Sequence, residues 1–382
     1  VQNTNLLYLT GIDQEDTFLI SAPQFPDKKM REILFIKETS EKIAIWEGNK
    51  LTKEEASKIS GIETVLWNDQ FENILPLILA QTKDIYLEKN EHIRSKTKVE
   101  TAQDRFIKKI KTEFSSHNIK RSYPILSELR MVKNDIEVSQ IQKACDITEM
   151  GFRRVLDFIK PGVWEYEIEA EYSHEFLNNR SKGFAYQPII ASGMNSCCLH
   201  YNTNNMQCKD GEMVLMDVGS EYANYRSDMT RTVPINGKFS KRQLQIYNAV
   251  LNVKNEANKI LRPGTSIDKY HKEIAKIMEG ELLDIKLIDK TDIKNQNPKN
   301  PAYKRYFMHG TSHHLGLDVH DVGNFYEDVK AGNVFTIEPG IYIKEESLGV
   351  RLEDDILVGN NNNINLMEKI PIQPEEIEDI MN

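Results

Sequence analysis

Apolar residues in the first third of the chain come in short runs set between stretches with helical spacing. Residues 17–23 (TFLISAP), 32–38 (EILFIKE) and 42–48 (KIAIWEG) predict successive strands, and 63–67 (ETVLW) and 84–89 (DIYLEK) predict two more. Residues 52–60, 71–82 and 102–117 predict helices. The alternation describes an α/β domain over residues 1–132.

From Asp135 the pattern changes. Val138, Ile141, Ala144, Cys145, Thr148, Phe152, Val155 and Ile159 line one face of a long helix that Pro161 and Gly162 stop. A second helix is expected over 164–179, then strand-like segments at 185–193, 197–202, 211–219 and 226–235. The order then recurs: a helix from Lys241 to Leu261 ended by Pro263 and Gly264, a helix over 266–282, and strands over 333–343 and 349–359. Residues 133–382 therefore predict a second, α+β domain of two similar halves, a repeat of architecture rather than of sequence. Residues 287–307 are long and polar for a connection inside a compact domain, and are expected to form a lid or an oligomer contact.

Composition narrows the function. A chain of 382 residues fits two domains, and 40% hydrophobic residues can build a sizeable core. A net charge of −9 argues against nucleic acid as a partner, since phosphate binding needs clustered Lys and Arg. The basic run Lys108–Lys111 reads as a solvated helix face. No apolar run reaches the ~20 residues of a membrane helix, so no membrane partner is expected. Cys145, Cys197, Cys198 and Cys208 form no C-x-x-C and read as reduced thiols of a cytoplasmic protein. The first residues lack a leader pattern. The chain opens on Val1 rather than Met, so an upstream segment is expected to have been removed or left out.

The chemistry concentrates late in the chain. MHGTSHHLGLDVHD, residues 308–321, holds four of the nine histidines. His309 and His313 would share a helix face, but Gly310, Thr311, Ser312 and Gly316 make a poor helix, so an extended or looping segment is predicted. A histidine-rich surface loop would read the same way. Asp217 closes the apolar run MVLMD and Asp228 follows eleven positions later, a spacing that allows a hairpin with both carboxylates on one side. Two turn-capping aspartates would fit as well. Glu338 interrupts VFTIEPGIY; Glu353 lies in GVRLEDDILV, two residues from Arg351 and so on the same strand face, where a plain ion pair is the alternative. Taken together, four carboxylates and a histidine within apolar strands suit a two-metal site. Their charge of −4 balances two divalent cations, and oxygen-rich donors with one imidazole favour ions such as Mn²⁺. Further histidines beside such a site can donate to an oxyanion or move protons.

In order and context, these residues resemble the metal ligands of the pita-bread metallopeptidases, which include aminopeptidase P, prolidase, methionine aminopeptidase and creatinase. HGTSHHLGLDVHDVG, TIEPGIY and VRLEDDILV resemble the aminopeptidase P branch. So do GMNSCCLHYNTN, as G-x-N-x-x-x-L-H-Y-x-x-N, and the stretches NTNLLYLTGI and LRMVKNDIEVSQIQKACDIT. The likeness is dense over about 129–358 and thin before it. It implies a pita-bread catalytic domain with a pseudo-twofold antiparallel sheet and helices, preceded by an α/β domain of the creatinase and prolidase type.

The implied reaction is removal of the N-terminal residue from peptides with proline second, by a metal-bridging hydroxide. Two divalent ions are implied, Mn²⁺ first, with Zn²⁺, Co²⁺ or Fe²⁺ also admissible. The resemblance makes Asp217, Asp228, His313, Glu338 and Glu353 the metal ligands, Asp228 and Glu353 bridging. Glu338 would also be the general base, His320 would stabilise the oxyanion, and His309 would serve catalysis. His200 and His309 would contact substrate around the proline, and Arg351 would orient its carboxylate side. His314 is left a structural role. A homo-oligomer, a dimer first, is expected, although the N-terminal domain looks short, beginning almost at YLTG. Prolidase is the alternative reading; a non-catalytic peptide-binding module of the same fold is the distant one.

Overall fold

The computed structural model describes residues 2–92, 98–324 and 326–382. The chain divides into two compact units, Val1–Leu129 and Arg130–Asn382. The first contains α1 (Thr4–Thr10), β1 (Phe18–Ser21), β2 (Glu32–Ile36), α2 (Glu41–Glu47), α3 (Lys53–Ser60), β3 (Thr64–Trp67), α4 (Phe71–Leu79), β4 (Asp84–Leu87), α5 (Ala102–Glu113) and β5 (Asn118–Arg121). Helix α6 (Tyr123–Met131) runs through the division. β2 pairs antiparallel with β1 and parallel with β3, and β4 runs parallel to β5. Ile33 and Phe35 of β2 pack on one side with Phe71, Leu75 and Ile78, while Leu34 and Ile36 pack on the other with Ile12 and Ala56. A strand buried on both faces has no polar alternation, which is why EILFI reads as a continuous apolar run.

Residues 42–48 overturn the strand expected there. They form α2, because Ser40 Oγ accepts the Ile43 N–H at 3.2 Å and Gly48, at φ +76°, closes the far end on Ala44. The apolar residues that suggested a strand, Ile45 and Trp46, are exposed.

The second unit opens with α7 (Asp135–Phe158) packed on α8 (Glu165–Asn178). Then come β6 (Ile189–Ser192), β7 (Met213–Val218), the small pair β8 (Glu221–Tyr222) and β9 (Tyr225–Arg226), and β10 (Met229–Pro234). The second half repeats the order with α9 (Lys241–Ile260) packed on α10 (Ile267–Asp284). After α11 (Lys290–Asn295) come β11 (Val334–Ile337), β12 (Gly340–Ile343), β13 (Leu348–Arg351), β14 (Asp354–Leu357) and β15 (Ile364–Asn365), with α12 (Pro374–Met381) last. All strand pairs here are antiparallel: β6–β7–β10 in the first half, β12–β13 and β11–β14–β15 in the second. The Glu353 N–H donates to the Thr230 carbonyl at 3.0 Å and joins the halves. The four long helices bury their apolar faces against these strands in one core.

One more expectation changes here. Residues 197–202 are not a strand; a 3₁₀ turn over Gly193–Cys197 leads into a loop. The polar segment 287–307 carries structure of its own. It holds α11, whose N-terminus carries a reciprocal cap between Asp289 and Asp292, and a 3₁₀ turn at Ala302–Arg305.

Candidate metal centre

The site forms where strands end. Asp217 sits near the end of β7, opposite Thr230 of β10, and Asp228 directly precedes β10. The two carboxylates do reach the same side: the Tyr186 hydroxyl lies 2.6 Å from Asp217 Oδ1 and 2.5 Å from Asp228 Oδ1. Neither is a turn cap. Glu338 stands in the break between β11 and β12, with its N–H on the Thr311 carbonyl at 2.8 Å. Glu353 joins β13 to β14.

The histidine-rich stretch carries no helix. Its segment 311–315 lies extended along β11: Thr336 N–H bonds the His313 carbonyl (3.0 Å) and Leu315 N–H bonds the Val334 carbonyl (3.1 Å). This places His313 Nε2 3.4 Å from Asp228 Oδ2 and 3.8 Å from Glu338 Oε1. Donor atoms of Asp228, His313 and Glu353 all lie within 4.8 Å of one another. Asp217 joins them through Tyr186 and Arg351, and Glu338 through His313.

The remaining predicted residues distribute around this group. Arg351 Nη2 donates to Asp217 Oδ2 at 2.5 Å, so its ion pair is with Asp217. It reaches Glu353 through the Thr230 hydroxyl, which accepts from Arg351 Nε at 3.0 Å and donates to Glu353 Oε2 at 2.6 Å. The His320 ring lies edge-on to the His313 ring at 4.4 Å. His309 Nδ1 is 3.8 Å from Glu338 Oε2, and its Nε2 is 2.8 Å from the Tyr342 hydroxyl. His200 is exposed, near enough to His309 to act on its charge. His314 is buried against Phe335, with ring centres 4.1 Å apart.

Sequence reasoning passed over three participants. Tyr186 bridges two carboxylates, Tyr342 takes a hydrogen bond from Arg351 Nη1 at 3.0 Å, and Asp355 accepts the Asp228 N–H at 3.0 Å. A tyrosine inside an apolar run reads as core; the only hint was that Tyr342 follows Glu338 by four residues. Asp355 could have been suspected, since it is an acid in the centre of a buried strand.

The electrostatics of the chain alone are unbalanced. Burial pushes Glu353 well above the ordinary carboxylate range, and Asp228, Glu338 and Asp217 around it push it further. Burial raises Glu338 to about 7. It raises Asp217 too, against the pull of Arg351. Burial works against charge on His313, but Asp228 and Glu338 beside it win and raise its pKa. Burial, with Arg351 and His200, holds His309 neutral, its pKa down to about 3. Carboxylates crowded so closely, with Arg351 as their cationic neighbour, suit divalent ions, whose charge would remove the repulsion.

Comparison with known proteins agrees with this geometry. The model of metallopeptidase family M24 matches residues 139–360, and that of the aminopeptidase P N-terminal domain matches residues 1–86. The chain is 33% identical to an Escherichia coli protein described as Xaa-Pro aminopeptidase, covering 100% of this chain and 88% of that one. It is 30% identical to human Xaa-Pro aminopeptidase 3, over 99% of this chain and 76% of the relative. Among solved structures, zinc-substituted Escherichia coli aminopeptidase P with product matches at TM-score 0.89 and 31% identity, over 100% of this chain and 89% of that one. Proline aminopeptidase P II from Yersinia pestis matches at 0.88 and 31%, over 100% and 90%. With its ligand-type residues gathered and both family models matched, the chain belongs to metallopeptidase family M24, as a metallo-aminopeptidase of the aminopeptidase P branch.

Proposed function

We propose that the protein hydrolyses the N-terminal residue from peptides whose second residue is proline. The observation that carries this reading is the gathering of Asp217, Asp228, His313, Glu338 and Glu353, in a chain whose relatives are described as Xaa-Pro aminopeptidases. We assign these five side chains to two divalent ions, with Asp228 and Glu353 shared between the two and Mn²⁺ as the first ion to supply. When bound, such ions neutralise the carboxylates, acidify a water molecule and polarise a carbonyl.

The chain's own groups do the rest. Glu338 has 21% of its side chain exposed, against 15% for Asp217 and 7% for Asp228, so it is the carboxylate best placed to take a proton from water. It is assigned as general base. His320, beside His313, donates to the scissile carbonyl oxygen as charge develops there. His309, kept neutral and held by Tyr342, can donate or accept at the substrate. His200 and His309 together face the proline, and Arg351 orients the peptide's carboxylate side.

We take residues 1–132 and 133–382 as the two domains, close to the division of the compact units at 129. We assign the protein to the cytoplasm, where its four thiols would stay reduced, and take a homodimer as its assembly. No helix among the described residues is long and apolar enough to cross a membrane.

The test is hydrolysis with Mn²⁺ added, comparing an Arg-Pro-Pro tripeptide with an Xaa-Pro dipeptide. Release of the first residue of the tripeptide is expected. Cleavage of the dipeptide alone would make the protein a prolidase with the same centre. Cleavage of neither, in protein shown to hold metal, would overturn the reading.

A further inference from the structure

The motif G-x-N-x-x-x-L-H-Y-x-x-N contains one histidine assigned to substrate, His200, and several polar residues with no role so far. Two of them, Asn195 and Tyr201, donate to one buried acid. Glu165, at the start of α8, is fully buried. Its Oε1 accepts from Ser192 N–H (2.8 Å), Ser192 Oγ (2.7 Å) and Asn195 Nδ2 (3.1 Å). Its Oε2 accepts from the Tyr201 hydroxyl (2.7 Å) and the Met206 N–H (2.9 Å). Five donors from residues 192–206 thus converge on one carboxylate. A buried carboxylate is costly unless its oxygens are satisfied, and five charge-assisted hydrogen bonds are what make this one tolerable.

The motif's last polar residue serves the same end one turn along α8. Asn204, at φ +45°, donates to Glu169 Oε2 (2.8 Å) and the Pro188 carbonyl (3.0 Å), and accepts the Ile190 N–H (3.0 Å). On its other side the loop is pinned where the Ser196 hydroxyl accepts the Gly349 N–H at 2.8 Å. A Cβ on Gly349 would meet the Ser196 carbonyl oxygen at 2.3 Å, so this approach needs glycine. Inside the loop, backbone bonds are sparse: Cys198 N–H to Asn195 O and Tyr201 N–H to Cys198 O. Leu199 and Tyr201 pack against Ile189, Ala191 and Leu215, and Asn202 pairs with Gln187, but the polar anchors on both sides of His200, Asn195 and Tyr201, are held by the one carboxylate of Glu165.

We propose that Glu165 is a positioning residue for His200, fixing the 192–206 loop so that the imidazole stands beside His309 at the proline end of the site. This rests on the substrate role given to His200 above. Glu165 touches neither substrate nor metal, so its effect on turnover passes through the loop.

The test uses Glu165→Gln, His200→Ala and the double variant on the Arg-Pro-Pro tripeptide, with bound metal measured for each. In Glu165→Gln an amide N–H₂ replaces one oxygen and faces at least two former donors. Each single variant should raise KM roughly tenfold, with kcat within about twofold and metal content unchanged. The double variant should be no worse than the worse single, because both act on one contact. Tyr201→Phe removes one donor without changing shape, and should raise KM in the same direction by less; it stands in if Glu165→Gln does not fold. Multiplied KM effects in the double variant, or a fall in kcat with lost metal, would overturn the positioning role. An unchanged KM in His200→Ala would instead overturn the assignment of His200.

Discussion

Glu353 and Asp354 are sequence neighbours, both shut off from solvent at 2% and 1% exposure, with opposite surroundings. Asp354 accepts from Arg231 Nη2 at 2.6 Å, from Lys254, and from Asn365 Nδ2 at 2.9 Å. Burial works upward on it, but Arg231 and Lys254 hold it below the ordinary carboxylate range. Glu353, in the link between β13 and β14, points instead into a group of acids. Burial and Asp228, Glu338 and Asp217 drive its pKa far up. The same pair of environments recurs around the histidine-rich stretch. Asp321 is clamped by Arg130 (2.5 Å) and Lys133 (3.0 Å) and lowered, while Glu338 is raised to about 7. A buried acid whose cations hold its pKa down, as with Asp354 and Asp321, completes the fold. Buried acids left to repel one another mark where a cation from outside belongs.

The largest effect expected is on turnover. Glu338→Ala should lower kcat by roughly 10³-fold or more, because on the proposed assignment it removes a metal ligand and the general base at once. Steady-state kinetics with Mn²⁺ check this; near-normal turnover would remove Glu338 from the centre. On the structural side of the comparison, Asp354→Ala leaves Arg231 and Lys254 buried without their carboxylate. It should cost about 3–5 kcal/mol of stability in chemical denaturation, as loss of one partner of a buried ion pair does. Intact stability would mean the two environments do not differ as described.

A smaller effect separates ligand from neighbour. His320→Ala should lower kcat by about 10²–10³-fold while bound metal stays constant. Loss of metal instead would make His320 a ligand.

The smallest effect concerns pH. In chelated protein, Glu338 keeps in the folded chain a proton that the unfolded chain loses above its ordinary 4.5. That contribution is complete below 4.5 and fades as pH rises through about 7, so the melting temperature of the chelated protein should fall by a few degrees over that window. Asp228→Asn should blunt the fall by removing one of the charges that raise Glu338. Asp354 and Asp321 act with the opposite sign, adding stability above their ordinary 3.8 that is lost as pH drops through their lowered values. With Mn²⁺ present the fall toward pH 7 should vanish. Melting curves in chelator and in Mn²⁺ check the sign; a metal-independent profile would contradict it.

The elements around the centre were legible because their apolar runs are long and the acids inside them are conspicuous. VLMD, TIEPG and VRLEDD each place a charge where core packing predicts none. The histidine stretch was legible as non-helical from its glycines. What was not read was partly local and partly long-range. KIAIWEG looks apolar enough for a strand, yet the caps at Ser40 and Gly48 decide for a helix and leave Trp46 85% exposed. CCLHYN lost its apparent strand because Tyr201 bonds Glu165, 36 residues upstream, rather than lying along a neighbouring strand. Tyr186 and Tyr342 were hidden for the same reason: a hydroxyl's partner is set by the fold, not by its neighbours in sequence.

The most direct test of the metal centre is metal content. Wild-type and Glu353→Ala protein would be dialysed against Mn²⁺, freed of excess, and assayed for manganese per folded chain. The account predicts about two ions in the wild type and a loss of both, or all but a weakly held remnant, in the variant, since it assigns Glu353 to both. Equal manganese in both proteins would contradict it.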